Sequence, residues 1–143
     1  MIKKIINILS LKKKSFFSKK TSYSYNGVDL IVNYLFKDKN RGIYVDVGAQ
    51  NPISNNNTFL LFKRGWRGLN IDLDNENVKL FNISRPSDKN LNFAVSYKKG
   101  EKKLFFYHDK SPINTLVKKV SKFQKAKLSK IKNIKVVTLD YIL

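Results

Sequence analysis

The chain contains no cysteine, and of its 143 residues only three are proline and six are glycine. Without cysteine, neither disulfide bonds nor thiolate metal sites can form, which suits a reducing compartment. No apolar run approaches the roughly 20 residues that a helix needs to cross a bilayer. We therefore expect a cytoplasmic protein without a transmembrane helix.

Acidic residues are also scarce, with 10 Asp and Glu against 29 Lys and Arg, so the net charge is +19. The lysines concentrate in residues 3–20 and 118–135. Such concentration can indicate affinity for the phosphates of nucleic acid. No recognition motif of the standard nucleic-acid-binding modules accompanies it. We favour the simpler interpretation, in which a lysine-rich composition covers solvated surfaces, and keep nucleic-acid binding as an alternative.

The first residues have the pattern of a basic amphipathic helix, because Ile2, Ile5, Ile6 and Leu9 recur at helical spacing beside lysines. Such a helix can rest on an anionic membrane surface. Lysines 12–14 stand where a signal peptide would need small residues for cleavage, so we predict no signal peptide. We interpret residues 1–22 as a loosely attached basic N-terminal extension, with peripheral membrane contact as the second interpretation.

A strand followed by an acid-bearing turn is the most informative local pattern. Residues 43–47 are mostly β-branched or aromatic, and Asp46 interrupts them near the C-terminal end. Gly48 and Ala49 follow, and small residues let the backbone approach a ligand closely. Open α/β sheets bind ligands outside the carboxyl ends of their strands, so this turn is a candidate small-molecule site.

A second strand is predicted at residues 68–72, after a short apolar helix at 58–64, and it ends in Asp72. The two strands and their helix form a βαβ unit. Asp72 lies about 20 residues beyond the first turn, where nucleotide-binding folds place the acid that accepts hydrogen bonds from ribose. The G-x-G-x-x-G pattern is absent. We therefore expect an adenosine-type ligand without a cradled pyrophosphate, of which S-adenosylmethionine is the leading example.

Asp74 competes with Asp72 for the ribose role, and we favour Asp72 because Asp74 can cap a helix predicted at residues 75–84. We predict another helix at residues 28–36, with Asp29 in a structural role in its first turn. Strands are expected at residues 90–96 and 103–107, paired as a hairpin, and a final strand at 133–138. Apolar spacing predicts a helix across residues 116–131. The isolated His108 reads as an ordinary turn residue, and no metal-binding constellation is evident.

Successive blocks of the sequence resemble, in order and spacing, those of the FkbM-type methyltransferases. Two of the blocks are Gly42-Ile43-Tyr44-Val45-Asp46-Val47-Gly48-Ala49 and Gly65-Trp66-Arg67-Gly68-Leu69-Asn70-Ile71-Asp72. Others lie at residues 24–32, 85–88, 91–96, 114–116 and 137–140. The resemblance implies a Rossmann-like fold of three αβα layers and methyl transfer from S-adenosylmethionine. The usual acceptor is a hydroxyl oxygen, so a sugar or glycan, or another small hydroxylated metabolite, is expected.

The resemblance also assigns provisional roles to six residues. It implies Gly48 and Ala49 beside the methionine moiety and Asp72 on the ribose. Asp46 would order the turn or reach the amino group through water, and Asn92 and Ala94 would lie near the adenine. It assigns no catalytic residue.

Family members continue beyond a Thr-Leu-Asp block, here Thr138-Leu139-Asp140, into a strand with an Asp-x-Glu-Gly motif, whereas this sequence ends at Leu143. We therefore expect residues 23–143 to be a truncated, cofactor-binding N-terminal part of the domain, incomplete at its C-terminus. Two alternatives stay open: a non-catalytic remnant of a methyltransferase, and a basic protein associated with nucleic acid.

Overall fold

The computed structural model of the chain describes residues 2–17 and 22–143. The helices are α1 (Ile2–Phe17), α2 (Val28–Leu35), α3 (Phe59–Lys63), α4 (Asn75–Ser84), α5 (Lys118–Phe123) and α6 (Leu139–Ile142). The strands are β1 (Ile43–Val47), β2 (Arg67–Asp72), β3 (Lys89–Asn92), β4 (Gly100–Phe106) and β5 (Lys130–Val136). The fold is mixed α/β, as the sequence predicts.

A three-stranded parallel sheet in the order β1-β2-β3 carries the carboxyl ends that matter for the site. Helix α3 connects β1 to β2, and α4 connects β2 to β3, so the predicted βαβ unit is confirmed and repeats once. Tyr44, Asp46, Gly68 and Asn70 are in register across β1 and β2, and alternate residues of a strand share a face. On this face Tyr44 is buried in an apolar cluster with Leu61 of α3 and with Trp66, which lies between α3 and β2.

The hairpin expected between β3 and β4 is wrong. β4 pairs antiparallel with β5, from Gly100 opposite Val136 to Phe106 opposite Lys130, in a separate two-stranded sheet. β3 ends at Asn92, and only an isolated parallel bridge between Val95 and Val137 continues beyond it. β5 offers seven partners for the seven residues of β4, which a hairpin with the four-residue β3 could not provide.

The helix expected across residues 116–131 is also shorter than predicted. α5 covers only Lys118–Phe123, and β5 already begins at Lys130. An amphipathic helix in a protein is stabilised mainly by burial of its apolar face. Here Val120 is 44% exposed and Phe123 is 75% exposed, so little tertiary packing supports a longer helix.

Two segments tie the N-terminal part to the body. Leu11 of α1 is buried with Tyr23, Ile53, Phe59 and Leu80 in one apolar cluster. The fully buried carboxylate of Asp29 accepts hydrogen bonds from Tyr23 N at 2.6 Å and from the hydroxyls of Ser22 and Ser24. Burial raises the pKa of Asp29, but these hydrogen bonds together lower it below its usual value. The structural role expected for Asp29 is confirmed.

The outer edge of β1 is open. Within the described residues only β2 pairs with β1, and Ile43, Val45 and Val47 are 80%, 39% and 48% exposed. Ile43, Val45 and Val47 share the face of β1 opposite to Tyr44 and Asp46, and parallel sheets are normally covered on both faces, so this exposed apolar face is unusual. No helix of residues 2–17 and 22–143 combines the length and apolar character needed to span a bilayer.

Candidate functional site

The two acids predicted at neighbouring strand ends lie close together. Asp46 is in register with Asn70, and Asp72 lies two residues further along β2, so all three side chains share one face of the sheet. Burial is the main reason that the pKa of Asp46 is raised, and the negative charge of Asp72 adds to it. The carboxylates are therefore near enough to interact.

Asp46 turns into the protein and orders the loop that follows β1. It accepts hydrogen bonds from Thr58 Oγ1 at 2.9 Å and from Asn56 Nδ2 at 3.3 Å. Asn56 Nδ2 also donates to the carbonyl of Ala49, at 3.1 Å. Asp46 thereby fixes the turn, which is one of the two roles that the resemblance implies for it.

Asp72 holds the same turn from the other strand. Its Oδ2 accepts a hydrogen bond from Gln50 N at 2.8 Å, and its Oδ1 accepts from Asp74 N and Asn77 Nδ2. Gln50 has a φ of 54°, in the left-handed region that side chains rarely adopt, so this bond stabilises an otherwise unfavourable turn. Burial raises the pKa of Asp72 despite these hydrogen bonds.

Two adjoining cavities lie beyond the carboxyl ends of the three parallel strands, and both are lined by Leu73 and Asp74. The larger cavity measures about 330 Å³, and the β4-β5 sheet forms one wall of it through Leu104, Phe106, Lys132, Ile134 and Lys135. The smaller cavity measures about 100 Å³ and is closed by Ser111, Pro112 and Asn114. Together these neighbouring cavities make a recess with polar and apolar walls, at the position where open α/β sheets bind ligands.

Four of the six predicted cofactor residues line this recess. Gly48 and Asp72 line the smaller cavity, and Asn92 and Ala94 line the larger one. Asp46 and Ala49 lie behind the turn and line neither. Gly48 has a φ of 75° with open space where a Cβ would be, so only glycine fits this conformation without strain.

Asp74 caps α4, as predicted, by accepting a hydrogen bond from Glu76 N at 2.9 Å. Its second oxygen accepts from Lys110 N, which draws the loop of residues 108–114 over the strand ends. Sequence reasoning missed this loop as a wall of the site, although Asn114 at its end belongs to one of the blocks that resemble the methyltransferase family. His108 lies in the same loop with its side chain exposed and lines neither cavity.

Arg85, which the sequence presents only as the end of a helix before proline, is fully buried behind the site. Its guanidinium lies 5.1–5.3 Å from the ring centres of Phe59, Phe62 and Phe81. It donates hydrogen bonds to five oxygen acceptors, those of Tyr44 Oη, Pro52 O, Asn56 Oδ1, Thr58 Oγ1 and Asn70 Oδ1. Burial lowers the pKa of Arg85, and the neighbouring acidic groups oppose that effect.

The Arg85 network joins the sheet to the turn. Tyr44 Oη donates to Asp88, which also accepts from Asn70 Nδ2 at 3.0 Å and Gly68 N at 3.2 Å. Asn56 and Thr58 link the same guanidinium to Asp46. Arg85 therefore supports the geometry of Asp46 and the loop without reaching the recess itself.

The Asp46→Asn variant is expected to become more stable, relative to the natural sequence, as the pH rises. Because burial raises the pKa of Asp46 above its unfolded value of 3.8, its contribution to stability is full below that value and is lost as the pH rises through the raised pKa. Asparagine stays neutral, and its oxygen can accept the same two hydrogen bonds. Urea unfolding of both proteins, between about pH 4 and 7, measures the difference.

Asp29→Asn provides the opposite comparison. The pKa of Asp29 is lowered, so its contribution is present above the unfolded value and is lost as the pH falls through the lowered pKa. The Asp29 variant is therefore expected to lose stability relative to the natural sequence as the pH rises. The stability of each variant relative to the natural sequence should thus change with pH in opposite directions. A change in the same direction for both variants would contradict the pKa shifts assigned to Asp46 and Asp29.

Within the described part of the chain, no three or more His, Asp or Glu side chains are grouped so that they could hold a metal ion. Comparison with known proteins adds no relative, because no family model, no curated protein and no solved structure matches the chain.

Proposed function

We propose that this chain binds S-adenosylmethionine and provides the donor site of an FkbM-type, Rossmann-like O-methyltransferase. The observation that carries the proposal is the recess across the ends of β1, β2 and β3, lined by Gly48, Asp72, Asn92 and Ala94. An elongated adenosine derivative suits such a recess, because its ribose and amino-acid end need polar surroundings and its adenine needs surroundings that are partly apolar. The acceptor in this proposal is the hydroxyl of a sugar or a similar small metabolite.

The ribose would meet Asp72. Within the described residues Oδ2 of Asp72 accepts one hydrogen bond, from Gln50 N, and a carboxylate oxygen has room for a second. A ribose hydroxyl can supply it. Gly48 lines the same cavity as Asp72 and has open space where a Cβ would be, and the amino-acid end of the donor would lie there.

The adenine would enter the larger cavity. Its volume of about 330 Å³ is within the range of small-molecule sites. Ala94, Leu104 and Ile134 offer apolar surface there, and Asn92 and Asp109 offer polar groups. A flat, partly polar base suits this mixture.

Methyl transfer needs alignment more than covalent help from the protein. The acceptor oxygen attacks the methyl carbon in line, the carbon–sulfur bond breaks, and the hydroxyl proton leaves the acceptor. In this proposal the recess would hold the donor in that alignment. The open edge of β1 favours a second candidate, a methyltransferase-like chain that binds the donor without catalysing transfer by itself.

Calorimetric titration with S-adenosylmethionine and with S-adenosylhomocysteine tests the proposal, and both are expected to bind. Ala94→Val adds two methyl groups to the wall of the larger cavity and is expected to weaken binding about tenfold or more. Ala126→Val, at an exposed position, is the matched control and should bind as the natural protein does.

Absence of binding by the natural protein, or equal affinity of the two valine variants, would refute the donor site. Binding without methylation of any sugar tested would favour the non-catalytic candidate. The thermal midpoint of each variant, measured alongside, separates loss of the site from loss of the fold.

A further inference from the structure

Helix α1 has an apolar side that faces away from the protein body. Ile5, Ile6 and Leu9 are 50%, 59% and 60% exposed. Their spacing places them together on one side of a helix. These three neighbouring aliphatic side chains form an exposed apolar patch on the helix.

The opposite side of α1 holds the helix on the body. Leu11 is buried in the cluster with Tyr23, Ile53, Phe59 and Leu80. Lys4 and Asn7 line a groove with residues of α4, and Ile8 lines another with Ile53 and Phe59. The exposed side chains therefore belong to a helix that packs on the body, and among the described residues its outer side stays largely uncovered.

Charge identifies the occupant of this outer side. Residues 1–20 carry seven lysines and no acidic residue, namely Lys3, Lys4, Lys12, Lys13, Lys14, Lys19 and Lys20. A second copy of the chain would bring an identical set of lysines against the first, and like charges at such close range repel. Nucleic acid would attract the lysines but offers little to isoleucine and leucine side chains. An anionic bilayer offers both phosphate headgroups and hydrocarbon.

We propose that α1 binds the surface of an anionic lipid bilayer, lying in the plane of the interface. Ile5, Ile6 and Leu9 enter the boundary between headgroups and acyl chains, and the lysines contact the anionic headgroups. This surface is separate from the recess at the strand ends, so the proposal does not depend on the donor site. It gives the protein a fixed orientation on the membrane through the packing of Leu11.

Sedimentation of the full chain with lipid vesicles tests the proposal. Strong binding is expected to vesicles of phosphatidylcholine and phosphatidylglycerol in equal parts, with at least about tenfold weaker binding to phosphatidylcholine alone. Added salt should weaken it, because salt screens the lysines. Equal binding to both kinds of vesicle, or to neither, would overturn the proposal.

The triple variant Ile5→Ser, Ile6→Ser, Leu9→Ser isolates the apolar contribution. It keeps every lysine and is expected to bind the mixed vesicles about tenfold more weakly or worse, since burial of aliphatic surface is lost. The matched control is Ile31→Ser, Tyr34→Ser, Leu35→Ser on α2, where the replaced residues are 60%, 69% and 68% exposed. This control should bind as the natural chain does.

Unchanged binding of the α1 variant would show that lysines alone attract lipid and would overturn the proposal. The proposal would also be overturned if duplex DNA displaced the vesicles from the protein and bound both triple variants equally. That result would assign the lysines to nucleic acid. A second measurement avoids reliance on serine variants. Ile6→Trp should show a blue shift of its added fluorescence on mixed vesicles, and absence of that shift contradicts insertion.

Discussion

Arg85→Met is expected to lower the free energy of unfolding by about 3–5 kcal/mol, as when one partner of a buried charged network is removed. Methionine fills part of the space between Phe59, Phe62 and Phe81. It removes the hydrogen bonds that Arg85 donates to Pro52 O and Thr58 Oγ1, and one of those that Asn56 Oδ1 accepts. It also leaves the buried acid Asp88 without its neighbouring positive charge. Urea unfolding followed by the fluorescence of Trp66, which is 5% exposed, measures the loss.

Two further variants make this prediction specific. Arg85→Lys keeps the charge but cannot present a planar fork to acceptors in several directions, so it should also lose a large share of the stability. Arg41→Met removes an arginine that is exposed, and it should change the free energy of unfolding by no more than about 0.5 kcal/mol. Equal stability of the Arg85 and Arg41 methionine variants would contradict the role of the network.

Gly68→Ala is expected to cost about 3 kcal/mol or more, beyond the usual range for overpacking. An added Cβ would lie 2.0 Å from the carbonyl oxygen of Tyr44 and 2.5 Å from its Cδ2. Tyr44 is the residue in register on the neighbouring strand, so rotation of a side chain cannot relieve the clash. β1 and β2 would have to separate, and urea unfolding measures the result.

Gly48→Ala is the matched comparison because its added Cβ meets open space. Its φ of 75° still makes alanine unfavourable, and about 1–2 kcal/mol is the expected cost of a left-handed residue. The difference between the two variants separates close approach of strands from backbone conformation. Equal losses would contradict the packing of β1 against β2.

The first half of the fold could be predicted from sequence because its signals are local. α4 spans residues 75–84 as expected, since Asp74 caps one end and Arg85-Pro86 stops the other. β1 and β2 follow from short apolar runs that end in acids. The partner of β4 could not be predicted, because β5 begins at Lys130, long after β4 ends at Phe106. Pairing at that separation depends on tertiary packing.

Some features of the candidate site could likewise be predicted from the sequence, and others could not. The proximity of Asp46 and Asp72 follows from parallel strands, whose carboxyl ends meet at one edge of the sheet. The burial of Arg85 does not follow from its neighbours in sequence, since it depends on the turn of residues 49–58 closing over the end of α4. The walls formed by the β4-β5 sheet and by residues 108–114 likewise come from distant segments.

The open edge of β1 makes the solubility of this protein at high concentration depend on ionic strength. Mutual repulsion between molecules of charge +19 keeps their unsatisfied backbone groups apart. At about 0.15 M salt that repulsion acts over only about 8 Å, and this distance becomes shorter as the salt concentration rises. The β1 strands of separate molecules can then pair through the backbone of their open edges, which is a route to precipitation. Buffers of low ionic strength are therefore expected to keep concentrated solutions of the protein soluble, whereas high salt is expected to favour precipitation.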